Sequence, residues 1–247
     1  MTRKWWTMKL PTAAMLAALI LAHTGSVQLA ASPAEQTPPA QGTSRVWGTV
    51  EDIAFEGAVD GPSTEATPLQ VACVFEYTEG DIFTSPPALP AAANGMLHLD
   101  GALHGVITDI RRSGQFTGHA LETVLITPPT ETVAARQVLL IGLGPRGTFN
   151  PDLMIAVGRV SMREALRLGV THFSFASDLK DAGVDSPTGL VAGNVVKGIV
   201  DAYRTQRYLK SKRMADYTPI ARVTLLAGPA FFAEAGKGIQ DAIASVR

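Results

Sequence analysis

Residues 137–176 decide the fold, and they read QVLLIGLGPRGTFNPDLMIAVGRVSMREALRLGVTHFSFA. Two short runs rich in apolar and β-branched or aromatic residues, 137–142 and 172–176, stand at the ends of this stretch and predict strands. Between them the pattern predicts a helix over residues 151–168, because Asn150 can accept amide hydrogens at its start and a proline suits the first helical position. A strand, a capped helix and a second strand in this order are typical of a sheet covered by helices.

The same alternation continues on both sides of this stretch. Further strands are predicted at residues 69–75, 123–127 and 221–226, with 46–55 as a weaker candidate. Further helices are predicted over 96–112, from Ser186 and Pro187 through Ala202, and over 231–246, with 78–95 as a long surface loop. Helices of this length between strands predict an α/β domain, with helices on both faces of a largely parallel or mixed sheet.

Composition excludes several classes of protein. The chain has 247 residues, of which 46% are hydrophobic and 17% charged, so the apolar share is too high for a disordered chain. Its 21 basic residues are balanced by 22 acidic ones, and this balance argues against a broad nucleic-acid-binding surface. The single cysteine, Cys73, lies in the middle of a predicted strand, where we expect a buried small hydrophobic side chain and not a reactive thiolate.

The N-terminus has the pattern of an export signal. Arg3, Lys4 and Lys9 precede the apolar run 10–22, which is too short for a comfortable transmembrane span, and small residues follow up to Ala31. We therefore expect residues 1–31 to be a signal peptide, with a membrane anchor as the alternative. Residues 32–44 are predicted to be a flexible linker rich in proline and alanine, and 45–247 a single α/β domain.

Removal of the signal would have two consequences. It leaves 18 basic and 22 acidic residues, a formal charge of −4. The mature protein is then expected to be periplasmic or secreted and to have no association with a membrane.

The sharpest local motif is a literal GxGxxG at Gly142, Gly144 and Gly147, between a predicted strand and a predicted helix. Pro145 removes one amide that a phosphate would use, and the helix begins only after residue 150, so a plain strand-to-helix turn also explains the glycines. The alternative is a weaker anion site that uses Arg146 and the positive start of the helix. Gly142, Gly144, Arg146 and Gly147 are therefore the candidate ligand-binding residues, for a small phosphate-containing ligand.

Signals for catalysis and cofactors are weak elsewhere. The histidines at 98, 104, 119 and 172 show no i, i+4 pair, so no metal and no other cofactor is predicted. Asp178, Asp181 and Asp185 crowd one loop and are expected to cap helices and form turns. The arginines at 159, 163 and 167 repeat every four residues, which predicts a solvated helix face, with an anion or a partner as the alternative.

Four stretches taken together resemble the N-terminal domain of the leucyl aminopeptidase, or cytosol aminopeptidase, family. They are 113–126 (SGQFTGHALETVLI), 137–144 (QVLLIGLG), 154–175 and 193–210 (GNVVKGIVDAYRTQRYLK). The last is similar to the family's helix ending in Tyr-Arg-x-x-Arg-Tyr-Lys. Tyr203, Arg204, Arg207 and Tyr208 match that pattern, and Leu209 is inserted before the lysine.

The resemblance implies a three-layer α/β/α sandwich similar to macro domains. It also implies that peptide hydrolysis belongs to a separate C-terminal domain with two divalent metals, whose Asn-Thr-Asp-Ala-Glu-Gly-Arg motif is not in this sequence. Residues 238–247 look like the helix that leads into that catalytic half.

Three functional hypotheses remain. The first is an exported, stand-alone, non-catalytic domain that acts in binding or assembly. The second is a macro-type domain that binds an ADP-ribose-like ligand at the 142–147 turn. The third is a partner subunit of a full-length aminopeptidase, with self-association as the related possibility.

Overall fold

The computed structural model describes residues 37–80 and 89–247. Residues 38–247 form one compact unit. The strands of the described residues are β1 Ser44–Val50, β2 Ile53–Ala58, β3 Gln70–Val74, β4 Thr123–Ile126, β5 Val138–Gly142, β6 His172–Ala176 and β7 Arg222–Leu226. The α-helices are α1 Gly95–Ala102, α2 Val106–Arg112, α3 Leu153–Arg167, α4 Thr188–Ser211 and α5 Phe232–Val246, with short 3-10 turns at Ala91–Ala93 and Arg146–Thr148.

The strands form one seven-stranded sheet in the order β1-β2-β7-β6-β3-β5-β4. The five central strands are parallel, and β1 and β4 pair antiparallel at the two edges. Helices α3, α4 and α5 pack on one face of the sheet, and α1 and α2 pack on the other. The predicted α/β/α architecture with a largely parallel sheet is therefore confirmed, and Cys73 is in the core as expected, 1% exposed.

The prediction of one weak strand over 46–55 is wrong, because this stretch folds as a hairpin. Strands β1 and β2 pair from Ser44↔Ala58 to Val50↔Ile53, and Glu51 and Asp52 form the turn with φ of 55° and 65°. Such a turn favours Asn-Gly or Asp-Gly, so Glu-Asp carries no hairpin signal in the sequence. Helix α4 stabilises the turn. Glu51 Oε1 accepts a hydrogen bond of 2.6 Å from Arg204 Nε, and the second carboxylate oxygen pairs with Arg207.

The prediction of one helix over 96–112 is also wrong, because the chain breaks between α1 and α2. His104 and Gly105 have φ of 57° and 81° at the break. The buried carboxylate of Asp100 stabilises the new helix start by accepting hydrogen bonds from Ile107 N at 2.8 Å and Thr108 Oγ1 at 2.6 Å. The apolar period continues through the break, so periodicity alone could not reveal it.

The three helices on the other face lie close to their predicted positions, and α4 runs from Thr188 to Ser211. At the start of α3, Asn150 Oδ1 accepts the amide hydrogen of Asp152 at 2.9 Å. Across the described ranges, no helix is both long enough and apolar enough to cross a lipid bilayer.

Helix α4 packs against both of its neighbours through backbone contacts. A Cβ atom at Gly198 would overlap the carbonyl of Ile155 in α3, and one at Gly158 would overlap the carbonyl of Val195 in α4. On the other side of α4, a Cβ atom at Gly238 of α5 would overlap the backbone of Gly189. The three helix axes can be this close only because these positions carry no side chain.

We expect Gly198→Ala to destabilise the protein by about 1–3 kcal/mol, because the added methyl group must push α3 and α4 apart in a close-packed core. Gly101→Ala is the matched control. Gly101 lies in α1 with no atom near its would-be Cβ, so alanine there should be neutral or stabilising by up to about 1 kcal/mol. Urea unfolding of both variants measures the difference, and equal stability of the two would contradict the backbone contact.

Candidate functional site

A groove with a volume of about 710 Å³ runs along the edge of the sheet where the parallel strands end. Its described lining comes from the loops at residues 60–64 after β2, 177–181 after β6 and 227–231 after β7, together with the segment that leads into α1. Because the carboxyl ends of parallel strands meet at one edge, this is the place where open α/β sheets hold ligands. Its volume lies within the usual range of roughly 300–1,000 Å³ for small-molecule sites.

The walls of the groove are largely apolar. Phe175, Leu225 and Leu226 line it from the sheet, Val191 from α4 and Phe231 from the start of α5. The first turn of α4 also borders the groove through Thr188. The amide of the next residue, Gly189, already donates to the carboxylate of Glu234 at 3.2 Å, so an acidic side chain of the protein occupies that helix start.

Two neighbouring carboxyl groups, Asp178 and Asp181, line the groove. Asp178 Oδ2 accepts from Cys73 N at 3.2 Å, and Asp181 Oδ2 accepts from Met96 N at 3.0 Å. The Asn94 side chain adds a second contact, since its Nδ2 donates to Asp181 O at 3.2 Å. These bonds tie the loop after β6 both to the sheet and to the start of α1, so the predicted capping role is confirmed for Asp181.

The two carboxyl groups cannot both ionise easily. Burial, and then the negative charge of Asp181, raises the pKa of Asp178 well above its ordinary value, and burial also raises the pKa of Asp181. The nearby Lys180 does not neutralise them, because its Nζ pairs with Asp185 Oδ1 at 2.8 Å and lowers the pKa of Asp185 instead. The pair therefore holds a proton in the pH range where ordinary aspartates have lost theirs.

The predicted ligand residues 142–147 lie at the end of β5. The amide groups of Gly142 and Gly144 donate to Glu122 O and Gly118 O, at 2.8 and 2.9 Å. A Cβ atom at Gly142 would overlap the carbonyl of His119, so this glycine is required by the close approach of the 118–119 loop. Most of the hydrogen-bonding capacity of the turn is therefore used within the protein, and ligand binding there stays a prediction.

Arg146 is the member of this turn that borders a second, smaller cavity. Its guanidinium group lies 5.8 Å from the ring centre of Phe75 and, within the part of the chain that the structure describes, its buried Nε has no hydrogen-bond partner. Beside it, Arg111 donates from Nη2 to Phe75 O at 2.7 Å. The two arginines border a small cavity of about 20 Å³ that also touches Asp178 and Asp181, and this volume matches about one water molecule and not a phosphate group.

The other chemical candidates are dispersed. His119 pairs with Glu76 at 2.6 Å, which raises the pKa of His119, and His172 lies at the far end of β6. Arg159 pairs with Asp201 at 2.6 Å, and Arg167 Nε donates to Glu164 at 2.9 Å, both near the protein surface. Over residues 37–80 and 89–247, no group of three or more His, Cys, Asp or Glu side chains is placed to hold a metal ion.

The groove was not predicted from the sequence, although the position of Asp178 pointed to it. Asp178 follows the buried strand β6 by two residues, and a carboxyl group just after a parallel strand lies at the ligand-binding edge of the sheet. The loop at residues 60–64 could not be placed, because the hairpin that leads into it was interpreted as a single strand. The third loop, at 227–231, was treated only as the approach to the last helix.

We expect Asp178→Asn to be more stable than the unmodified protein at neutral pH. The folded state keeps a proton on Asp178 that the unfolded chain releases near its ordinary pKa of about 3.9, so stability falls as the pH rises from there through the raised pKa. Asparagine mimics the protonated acid and can still accept from Cys73 N, so its advantage should grow over that range. Urea unfolding at several pH values measures it, and an advantage that is constant with pH, or as large in the exposed control Asp241→Asn, would contradict the raised pKa.

Comparison with known sequences connects the fold to a family. The sequence model of the cytosol aminopeptidase family, N-terminal domain, matches residues 82–212. A probable cytosol aminopeptidase of Roseiflexus castenholzii is 30% identical over 138 residues, which are 56% of this chain and 28% of the relative. The chain thus spans little more than a quarter of the length of the curated relative that it matches.

The fold is similar to that of a solved macrodomain. A mutant of the Oceanobacillus iheyensis macrodomain superposes with a TM-score of 0.51 at 16% identity, covering 83% of this chain and 97% of the macrodomain. A mutant of tomato leucine aminopeptidase superposes with a TM-score of 0.47 at 18% identity, over 72% of this chain and 33% of that one. The fold is macrodomain-like, and since the family model matches more than half of the sequence, the chain belongs to the cytosol aminopeptidase family and carries its N-terminal domain.

Proposed function

We propose that the protein is an exported, non-catalytic member of the cytosol aminopeptidase family that acts in binding or assembly. The observation that carries the proposal is the extent of the family match, which covers the N-terminal domain over residues 82–212. Peptide hydrolysis in this family is expected, from the resemblance, to reside in a separate two-metal domain.

The groove supports a binding role. Asp178 and Asp181 accept hydrogen bonds from the backbone amides of Cys73 and Met96, and these bonds hold its loops in place. A preformed groove with fixed polar groups is suited to binding a ligand.

Assembly with a full-length aminopeptidase or with a second copy is the second part of the proposal. The helix that matches the family pattern, α4, ends in a region where Tyr208 is 63% exposed and Met214 76% exposed. We propose that these two exposed side chains contribute to a protein contact site. Tyr203, by contrast, is buried and packs against Tyr217, so the two tyrosines of the motif have different roles.

A phosphate-containing ligand, such as ADP-ribose, is the competing proposal. It is favoured by the macrodomain-like fold and by a groove at the strand ends, although a fold by itself does not carry a function. The groove itself disfavours it, because Asp60, Asp178 and Asp181 line it and would repel a diphosphate.

Export is proposed from the sequence alone. The pattern of Arg3, Lys4 and the apolar run 10–22 supports a signal peptide that ends near Ala31, and a periplasmic or secreted mature protein without nucleic-acid or membrane partners. These N-terminal residues lie outside the described part of the chain.

We expect the purified protein to have no aminopeptidase activity. Leucine p-nitroanilide with added manganese should give no release of nitroaniline above the rate without protein, because we place the two-metal chemistry in another domain. A full-length aminopeptidase of the family, assayed in parallel, provides the positive control. Turnover that depends on the metal and disappears with a chelator would overturn the non-catalytic proposal.

We expect a bacterial host that expresses the full chain to release a shortened protein by osmotic shock or into the medium. Its intact mass should correspond to a chain that begins near Ser32, since signal peptidase cleaves after small residues. Affinity purification from the same fraction should recover a full-length aminopeptidase or a homo-oligomer. Full-length protein retained in the membrane fraction would contradict export, and consistent recovery of a monomer alone would contradict assembly.

A further inference from the structure

We propose that the C-terminal end of α4 is a docking surface for an acidic protein segment that also carries an apolar residue. The surface, named here the helix-end patch, consists of Tyr208, Lys212, Arg213 and Met214. The inference deepens the assembly part of the proposed function and rests on it, because it gives the chemistry of the partner that this surface fits.

Two large hydrophobic side chains of the patch are left in water. Met214 is 76% exposed and Tyr208 is 63% exposed, more than any other large hydrophobic side chain of the described residues. Their backbone is fixed, because Met214 N donates to Leu209 O at 2.9 Å and Lys212 N donates to Tyr208 O at 3.2 Å. Apolar groups that are already held in place lose little conformational entropy when a partner covers them.

Positive charge is concentrated at the same helix end. Residues 204–213 read RTQRYLKSKR and hold five of the 21 basic residues of the chain, with no acidic residue among them. Arg204 and Arg207 are already paired with Glu51. Lys210 also has a carboxylate partner, at 3.1 Å. These three cations are therefore engaged within the fold.

Lys212 and Arg213 are the two cations of this segment that stay available. Both side chains are exposed, and within residues 37–80 and 89–247 neither forms an ion pair with a carboxylate. Lys212 Nζ lies 5.5 Å from the ring centre of Tyr208, so the charge stands directly beside the apolar surface. Carboxylates of a partner can pair with these cations while an apolar residue of the same partner covers Tyr208 and Met214.

The backbone at Arg213 favours a different residue. Arg213 has φ of 60° just after the end of α4, a position at which helices favour glycine. Its amide donates to Lys210 O at 2.9 Å, which closes the helix end. A left-handed backbone is unfavourable for a residue with a Cβ atom, so arginine makes the fold less stable here than glycine would. The stability of the fold and the charge of the patch therefore depend on Arg213 in opposite directions.

The composition of the patch favours a protein over other anionic partners. Tyrosine, methionine and arginine are enriched in protein interfaces. A nucleic-acid backbone attracts the cations but leaves Met214 uncovered. A flat anionic membrane would also meet the carboxylate of Asp216, which is 94% exposed. A symmetric dimer through the patch would bring the unpaired cations of both copies together, which disfavours a second copy.

Fluorescence anisotropy with labelled peptides tests the proposal on the purified protein. The peptide DEELFEED should bind at least about tenfold more tightly than DEEGSEED, which lacks the apolar pair, or KKKLFKKK, which lacks the negative charge. Its affinity should fall between about 0.05 and 0.5 M sodium chloride, because salt screens exposed charges. Phosphatidylglycerol vesicles and a DNA duplex, added as unlabelled competitors, should not displace it.

The variant Lys212→Gln/Arg213→Gln should weaken the binding of DEELFEED by about tenfold, because two ion pairs with the peptide are lost. Arg112→Gln/Lys237→Gln is the matched control. It changes the net charge by the same amount on α2 and α5, where each cation is paired with a carboxylate of its own helix. The control should bind the peptide as the unmodified protein does.

Arg213→Gly separates binding from stability. Glycine should raise the midpoint of thermal unfolding by about 2–4 °C, because it removes the left-handed strain. The same variant should weaken peptide binding by about threefold, because one cation of the patch is lost. A purely structural Arg213 would change the unfolding midpoint and leave the peptide affinity as it was, which would contradict its place in the patch.

Equal binding of the three peptides, binding that does not respond to salt, or displacement of DEELFEED by vesicles or DNA would overturn the proposal. An equal loss of affinity in the matched control would overturn it as well. Affinity purification distinguishes this failure from that of the proposed function. Recovery of a full-length aminopeptidase with both the unmodified protein and Lys212→Gln/Arg213→Gln would refute the patch and leave assembly intact, whereas a monomer recovered alone would refute assembly itself.

Discussion

The backbone contact of α4 with its two neighbours is the constraint on which the rest of the structure depends. Gly198 and Gly158 allow α4 to lie against α3, and Gly238 allows α5 to lie against the first turn of α4. These contacts set the positions at which α4 and α5 begin, and both helix starts border the groove. The shape of the groove is therefore a consequence of how closely three helices pack on one face of the sheet.

The 142–147 turn shows that a glycine motif can also serve the packing of a fold. Gly142 is required because the carbonyl of His119 approaches it closely. The amide of Gly144 donates to Gly118 O, which anchors the loop before the edge strand β4. The same glycine spacing can thus serve a nucleotide or a neighbouring loop, and only the bonding partners of the amides distinguish the two.

Much of the fold could be predicted from the sequence, and the failures have identifiable physical causes. Helix α3 and strands β5 and β6 carry clear caps and apolar runs, so their positions agree with the prediction within about two residues. The hairpin at Glu51 and the break at His104 were missed because each depends on positive φ at residues that rarely adopt it, supported by distant or buried partners. The groove was missed for a related reason, since Asp178 and Asp181 acquire their unusual chemistry only from each other and from burial.

The protonation state of Asp178 and Asp181 affects both the stability of the loop after β6 and the charge of the groove. A direct measurement is the titration of the side-chain carboxyl carbons of Asp178 and Asp181 by nuclear magnetic resonance. We predict that the two carboxyl groups titrate as a coupled pair, with the pKa of Asp178 well above the ordinary aspartate value of about 3.9. Two independent titrations near the ordinary aspartate pKa of about 3.9 would contradict this prediction.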